Sequence, residues 1–93
     1  MAVEREVVIP NKEGMHFRPI MQFVDIASRF AADIKVVNGE RQADGRSPME
    51  LLMLVATQGT RLRVVADGED SDAALDALAK LIEDGFGETI EPG

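Results

Sequence analysis

The sequence has 93 residues and lacks cysteine, tryptophan and tyrosine, and His16 is its single histidine. Without cysteine the chain forms no disulfide bond and offers no thiolate for metal binding or redox chemistry. A zinc site needs several nitrogen or sulfur ligands, so we expect neither a metal site nor a cofactor. Aliphatic residues, five methionines and four phenylalanines must supply the core.

Positive charge is also scarce. Ten Lys and Arg residues stand against 17 Asp and Glu residues, which gives a formal net charge of −7. Binding to nucleic acid needs a basic footprint, so nucleic acid is not an expected partner. No apolar run approaches the length of a membrane span, and the N-terminus lacks the pattern of a signal peptide. We therefore expect a cytoplasmic protein without membrane insertion.

The apolar pattern predicts the order strand, helix, strand, strand, helix, strand, helix. The strands are predicted at 3–9, 34–37, 40–43 and 60–66, and the helices at 17–30, 48–56 and from about 71 to the glycine at 85. The Asn-Gly pair at 38–39 indicates an antiparallel hairpin. Helices that can all lie on one face of four short strands indicate an open two-layer α/β sandwich. We expect one domain at 1–88 and a frayed tail at 89–93.

Residues 14–19, with the sequence GMHFRP, lie where the first helix is predicted to begin. A helix start presents unpaired N–H groups and a partial positive charge, and Arg18 adds a full one. A neutral imidazole there is a nucleophile beside an anion site. We therefore predict that His16 accepts a phosphoryl group whose oxygens are stabilised by Arg18 and by the N–H groups of Phe17 and Arg18. The alternative is a histidine with only a structural role in the turn.

The sequence has no phosphate-binding loop of the GxxxxGK[ST] type and no evident Ser-His-Asp triad. A phosphorylated histidine must then receive its phosphoryl group from one protein and pass it to another, which describes a carrier rather than an autonomous catalyst. Partner docking needs exposed apolar surface. The predicted docking residues are Phe17 and Met21 on one helix face, with Pro48, Met49 and Leu52 at the second helix; the alternative is that they belong to the core.

Ser47 precedes the second helix, with proline next and Glu50 three residues on. This pattern predicts a complete capping box, in which Ser47 caps the helix and the Glu50 side chain caps in return. Phosphorylation of Ser47 is also compatible with a helix start.

Three motifs together resemble the histidine-containing phosphocarrier (HPr) family of the bacterial phosphoenolpyruvate:sugar phosphotransferase system. They are the active-site pattern at 14–19, the Ser-centred stretch RSPMELLML at 46–54, and DGED at 67–70 followed by Ala-Leu; the ending DGFGE at 84–88 is also typical. The resemblance implies an α+β open-faced β-sandwich with a four-stranded antiparallel sheet and three helices on one face.

The resemblance also implies the function. His16 would accept phosphate at Nδ1 from phosphorylated enzyme I and pass it to an enzyme IIA domain for sugar transport, with Arg18 stabilising the phosphate. Ser47 would match the serine that an HPr kinase/phosphorylase modifies in some bacteria. No feature indicates an obligate oligomer, so a monomer is expected.

The chain departs from the family pattern in two of these motifs, the active-site pattern and the Ser-centred stretch. Phe17 replaces a small residue beside the histidine, and Pro48 and Glu50 replace an apolar residue and a common glycine. The Glu50 charge disfavours a phosphoserine at Ser47. The stretch at 51–54 also resembles the nitrogen-related branch of the family. A regulatory module acting through its phosphorylation state, and a domain without phosphotransfer in which Phe17 blocks docking, therefore stay open as alternatives.

Overall fold

The computed structural model describes residues 2–88; the tail predicted at 89–93 lies outside these residues. The strands of this part of the chain are β1 (Ala2–Val8), β2 (Asp33–Asn38), β3 (Arg41–Asp44) and β4 (Arg61–Asp67). The helices are α1 (Phe17–Ala27), α2 (Pro48–Leu52) and α3 (Ser71–Glu83), and α3 is followed by a 3-10 turn (Gly85–Gly87). All strand pairs are antiparallel, in the order β1-β4-β2-β3. The predicted fold class is confirmed.

Alternation along the strands separates a core face from an open face. In β4, Leu62 and Val64 are buried, whereas Arg61 and Arg63 are exposed and pair with glutamates of β1. The helices cover the core face with side chains that are at most 1% exposed: Ile20, Phe23, Ala27, Leu78 and Ile82. Among residues 2–88, no helix has the length and apolar character that crossing a membrane requires.

Helix α1 ends at Ala27, although the apolar pattern predicted a helix to residue 30. Side chains from other segments bind the backbone that would have continued it. The Asp70 carboxylate accepts the N–H groups of Ala31 and Ala32, both at 2.8 Å. Arg46 donates to the carbonyl of Ala32 at 2.9 Å. These long-range bonds hold the segment as a bend between α1 and β2.

The last residue of helix α2 and the residues of the hairpin turn also differ from the prediction. Helix α2 ends at Leu52 rather than near 56, because Val55 has φ 52°, in the left-handed region that a right-handed helix cannot continue through. In the hairpin, Asn38 remains in β2 and pairs with Arg41. The turn therefore consists of residues 39–40, one residue later than the Asn-Gly pair predicted.

Asp70→Asn is expected to lower the melting temperature, because an amide places an NH2 group against one of the two N–H donors. The hydrogen bond from the Ala31 N–H is the main cause that holds the pKa of Asp70 below 3.8, against the opposing effect of burial. A carboxyl group whose pKa is lowered by folding stabilises the fold fully at pH values above its pKa in the unfolded chain. This stabilisation is lost as the pH falls through the pKa of the group in the folded protein. The difference in melting temperature between wild type and variant should therefore be full above about pH 4 and shrink below it.

Asp72→Asn is the matched control, because Asp72 is exposed in the first turn of α3 and binds neither Ala31 nor Ala32. Thermal melts over a pH series provide the measurement. Equal melting temperatures for wild type and Asp70→Asn at neutral pH would contradict the assigned role.

Candidate functional site

A tight turn positions the only histidine of the chain. Gly14 has φ 68°, and a Cβ atom there would lie 2.5 Å from the carbonyl oxygen of Ala56. Glycine is the residue that meets both constraints. The following Met15 is 4% exposed, and its N–H donates to the same carbonyl at 2.8 Å. His16 is therefore attached to a segment that is anchored in the core.

His16 is the N-cap residue of α1, and its side chain makes no capping hydrogen bond. Its carbonyl accepts the N–H of Ile20 at 3.1 Å, which closes the first helical turn. Among the described residues, the N–H groups of Phe17 and Arg18 have no backbone acceptor. These donors and the helix dipole place partial positive charge beside the imidazole, as the sequence predicted.

The Arg18 side chain is exposed and forms no hydrogen bond or ion pair within residues 2–88. Its positive charge nevertheless acts on Glu88, where it helps to lower the pKa of that carboxyl. The guanidinium therefore lies near enough to the histidine site to act on a group bound there, and it is available to bind an anion.

The imidazole of His16 contacts a carboxylate from the far end of the chain. Nε2 lies 3.0 Å from Oε1 and 2.9 Å from Oε2 of Glu88, which is 72 residues away in sequence. A second carboxylate, Glu13, lies 3.7 Å from the same nitrogen, but its side chain is 74% exposed. The side chain of Glu88 is only 16% exposed, so it is the enclosed partner of Nε2.

A left-handed turn after α3 brings Glu88 to the histidine. Gly85, Phe86 and Gly87 have φ values of 67°, 56° and 74°. A positive φ is unfavourable for phenylalanine, but the ring of Phe86 is 2% exposed, and its burial offsets the strain. The N–H of Glu88 then donates to the carbonyl of Gly85 at 2.8 Å. The turn thus reverses the chain towards α1.

Asn11 lies in the turn before the histidine and also binds Glu88. Its side chain is fully buried, and Nδ2 donates to Oε1 of Glu88 at 3.0 Å and to the carbonyl of Gly14 at 2.8 Å. A buried amide therefore supports the carboxylate that contacts His16. Asn11, Glu88 and His16 form one chain of hydrogen bonds.

The charge state of Glu88 determines which nitrogen of His16 carries the proton. Burial raises the pKa of Glu88, but hydrogen bonds from His16 and Asn11 and the charges of His16 and Arg18 outweigh it, so the pKa lies below 4.5. An ionised carboxylate only accepts hydrogen bonds, so Nε2 of the neutral ring must donate its proton to Glu88. The lone pair is then on Nδ1. Within residues 2–88, Nδ1 has no hydrogen-bond partner.

The structure places the predicted docking residues on the surface. Phe17 and Met49 are each 69% exposed, Met21 is 40% exposed and Leu52 is 47% exposed. Pro48 is partly buried at the start of α2. The sequence prediction did not include two further exposed apolar residues that follow α2, Met53 and Val55. The docking role of the whole set stays a prediction.

Ser47 caps α2, but the predicted capping box is only half formed. The Ser47 hydroxyl accepts the N–H of Glu50 at 3.3 Å. The Glu50 carboxylate does not bind Ser47 in return; it accepts the N–H of Asp44 at 3.1 Å. The prediction of a reciprocal box was wrong, because the exposed end of β3 offers Glu50 a competing donor.

Sequence reasoning missed Asn11 and Glu88. Asn11 lies in none of the predicted elements or motifs, and Glu88 belongs only to the DGFGE ending that is typical of the family. The Gly-Phe-Gly sequence before Glu88 was the one local signal, because a glycine on each side of a buried aromatic residue permits a left-handed turn. Nothing in that signal identifies His16 as the target of the turn.

Known proteins resemble this chain over most of its length. The family model for the phosphorylation site of the phosphotransferase system HPr component matches residues 3–84. The chain is 42% identical over 84 residues to the phosphocarrier protein HPr of Pseudomonas aeruginosa, with 89% of this chain and 93% of the relative covered. It is 41% identical over 86 residues to the phosphocarrier protein NPr of Shewanella violacea, with 92% and 94% covered.

A solved structure shows the same fold. The crystal structure of HPr-C-His from Thermoanaerobacter tengcongensis matches with a TM-score of 0.90 at 37% identity, over 94% of this chain and 98% of that chain. A histidine at the start of a helix on an open-faced sandwich defines a class of small phosphotransfer proteins. The chain belongs to the HPr/NPr family of phosphocarrier proteins of the phosphotransferase system.

The contact with Glu88 predicts that unmodified, neutral His16 exists mainly as the Nε2–H tautomer. Long-range ¹H–¹⁵N NMR of histidine-labelled protein measures the tautomer directly. Glu88→Gln should increase the share of the Nδ1–H tautomer, because an amide can donate to Nε2 as well as accept from it.

Glu13→Gln is the control, since Glu13 lies farther from the same nitrogen and is exposed. It should leave the tautomer ratio unchanged. A dominant Nδ1–H tautomer in the wild-type protein would contradict the assigned geometry.

Proposed function

We propose that this protein carries phosphoryl groups on His16, accepting them from phosphorylated enzyme I and passing them to an enzyme IIA domain of a cytoplasmic sugar phosphotransferase system. The single observation that carries the proposal is the hydrogen bond from Nε2 to Glu88. This bond leaves Nδ1 as the nucleophile beside an unsatisfied helix start. Residues 1–88 would form the functional domain.

The phosphoryl-transfer step follows from the positions of Nδ1, Nε2 and Glu88. The Nδ1 lone pair attacks the phosphorus, a new N–P bond forms, and the bond from phosphorus to the donor breaks with its electron pair leaving on the donor. The Nε2 proton stays in place, so the ring becomes a cationic N-phosphoimidazolium. The Glu88 carboxylate stabilises this charge, as a buried carboxylate does for an imidazolium in a catalytic triad.

The phosphoryl oxygens need separate stabilisation. We assign this to the N–H groups of Phe17 and Arg18, which have no backbone acceptor within residues 2–88, and to the Arg18 guanidinium. Since the Arg18 side chain has no partner within residues 2–88, it can bind the incoming group without first breaking a bond. The reverse step, transfer to enzyme IIA, uses the same groups and returns the electron pair to Nδ1.

The proposed docking surface consists of Phe17, Met21, Pro48, Met49 and Leu52. Its large exposed apolar side chains adjoin the start of α1 and the neighbouring α2. Methionine side chains adapt to differently shaped partners, which suits a carrier that must bind two proteins in turn. The projecting ring of Phe17 would then influence which partners fit.

His16→Ala is expected to abolish phosphoryl acceptance without unfolding the protein, because the imidazole lies at the surface and caps nothing. The assay mixes the protein with phosphoenolpyruvate and enzyme I and measures an acid-labile mass gain of one phosphoryl group. Arg18→Ala should slow transfer by about 100-fold, because it removes a charge that stabilises the transferred group.

Arg29→Ala is the matched control, since Arg29 lies two residues beyond the end of α1 and pairs with Asp25. It should leave the rate unchanged. Acceptance of phosphate by His16→Ala would exclude His16 as the carrier residue. Running the assay with enzyme I proteins of the sugar and nitrogen branches compares the two donor classes.

The alternative function is a regulatory module of the nitrogen branch that acts through its phosphorylation state at His16 or Ser47. The similarity to NPr of Shewanella violacea supports it as strongly as the similarity to HPr supports the sugar branch. For Ser47 itself, the hydroxyl already serves as a helix cap and lies beside Glu50. These contacts favour a structural serine over a target of HPr kinase/phosphorylase.

Ser47→Ala is expected to reduce the free energy of unfolding by about 1 kcal/mol through loss of the cap. Phosphoryl transfer through His16 should be unchanged, as measured in the same transfer assay. Ser28→Ala is a suitable control, since the Ser28 hydroxyl donates to the carbonyl of Val24 and caps no helix start. Unchanged stability together with altered binding of a regulatory partner would favour the regulatory alternative.

A further inference from the structure

We propose that Asn11 is a positioning residue for phosphoryl transfer, acting through Glu88 to hold the carboxylate against Nε2 of His16. The inference rests on the proposed function of His16 and extends it to a residue that touches neither the imidazole nor the phosphoryl group. It assigns to the turn before His16, which contains the buried Asn11, a role in selecting which ring nitrogen reacts.

The orientation of the Asn11 side chain is determined by its neighbours. Nδ2 faces two acceptors, the Gly14 carbonyl at 2.8 Å and Oε1 of Glu88 at 3.0 Å. A flipped amide would place its oxygen against both acceptors, so the NH2 group must point towards them. Among residues 2–88, buried Oδ1 has no hydrogen-bond partner. An unsatisfied buried acceptor is destabilising, so the fold gains nothing from this atom.

The turn itself does not require the second bond. The N–H of Gly14 already donates to the Asn11 carbonyl at 3.1 Å, which closes the turn through the backbone. The bond from Nδ2 to the Gly14 carbonyl then fixes the plane of the amide. The remaining N–H of Nδ2 is thereby aimed at Glu88, 77 residues away in sequence.

The competing partner for Glu88 is Arg18. Its exposed guanidinium acts electrostatically on the carboxylate but does not bind it. A carboxylate without Asn11 would be free to turn towards that guanidinium and form an ion pair. His16 would then lose its tautomer restraint, and Arg18 would lose its availability for phosphoryl oxygens. Asn11 therefore keeps the two charged groups in separate roles.

Glu13, the second carboxylate near Nε2 of His16, does not take the place of Asn11. Glu13 approaches Nε2 only to 3.7 Å, and its side chain is 74% exposed. Within the part of the chain that the structure describes, Glu88 accepts hydrogen bonds from His16 and Asn11, and the charge of Arg18 also lowers its pKa. Of these, Asn11 is the uncharged, fully buried one, and it can act as a fixed support in both the unmodified and the phosphorylated states.

A double-mutant cycle with Asn11→Ala and Glu88→Ala tests the inference on the full chain. Each single variant should reduce the rate of transfer from phosphorylated enzyme I by about 10-fold, and the double variant should be no slower than either one. Asn11→Ala should also increase the Nδ1–H tautomer of unmodified His16 in ¹⁵N NMR. That readout needs no donor, so it separates failure of this inference from failure of the proposed function.

Asn38→Ala is the matched control, because Asn38 likewise donates through Nδ2 to a backbone carbonyl, that of Leu54 at 2.9 Å. It should change neither the transfer rate nor the tautomer ratio. Multiplicative effects of the two variants would show that Asn11 acts through the Gly14 turn alone and would overturn the inference. An unchanged tautomer ratio in folded Asn11→Ala would overturn it as well.

A measurement on the wild-type protein covers the case in which Asn11→Ala does not fold. The side-chain NH2 resonances of Asn11 should shift with pH together with the carboxyl carbon of Glu88, because one donates to the other. Asn38 resonances should not follow that titration. Asn11 resonances that are insensitive to the ionisation of Glu88 would contradict the contact and therefore the inference.

Discussion

The hydrogen bond between Glu88 and Nε2 of His16 is the interaction on which the account of this protein depends. It joins residues 72 apart in the sequence at 2.9 Å, and in the proposed function it leaves Nδ1 of the partly exposed imidazole as the nucleophile. The same carboxylate is placed to stabilise the cationic ring that forms when phosphorus is attached to Nδ1. The Glu88 carboxylate would therefore both orient the imidazole ring and stabilise its positive charge.

Several parts of the fold converge to make that contact. Gly14 allows the turn before His16 to pack against the Ala56 carbonyl, and Phe86 anchors the left-handed turn that reverses the chain before Glu88. Both segments use backbone conformations that are unfavourable for most residues. Their cost is offset by buried contacts in a core built from aliphatic side chains. The site is thus rigid on the Nε2 side and open on the Nδ1 side.

The sequence was sufficient for the fold class and for the position of His16 at the start of a helix, because both depend on local patterns. Alternation and helical spacing determined the elements, and the histidine lay next to a helix start with an arginine. The ends of α1 and α2, the second half of the capping box and the Asn11–Glu88 support were not predictable in this way. Each depends on a hydrogen bond between distant segments, such as Asp70 with Ala31, or on one strained residue such as Val55. The local conformational preferences of residues do not take account of long-range hydrogen bonds or of strained residues.

The most direct test of the central claim is the structure of the phosphorylated imidazole. Protein with ¹⁵N-labelled histidine would be phosphorylated by enzyme I and analysed by ¹H–¹⁵N and ³¹P NMR. The account predicts that phosphorus is attached to Nδ1 and that Nε2 remains protonated, with its proton shift lost in Glu88→Ala. Attachment of phosphorus to Nε2, the nitrogen that Glu88 covers, would contradict it.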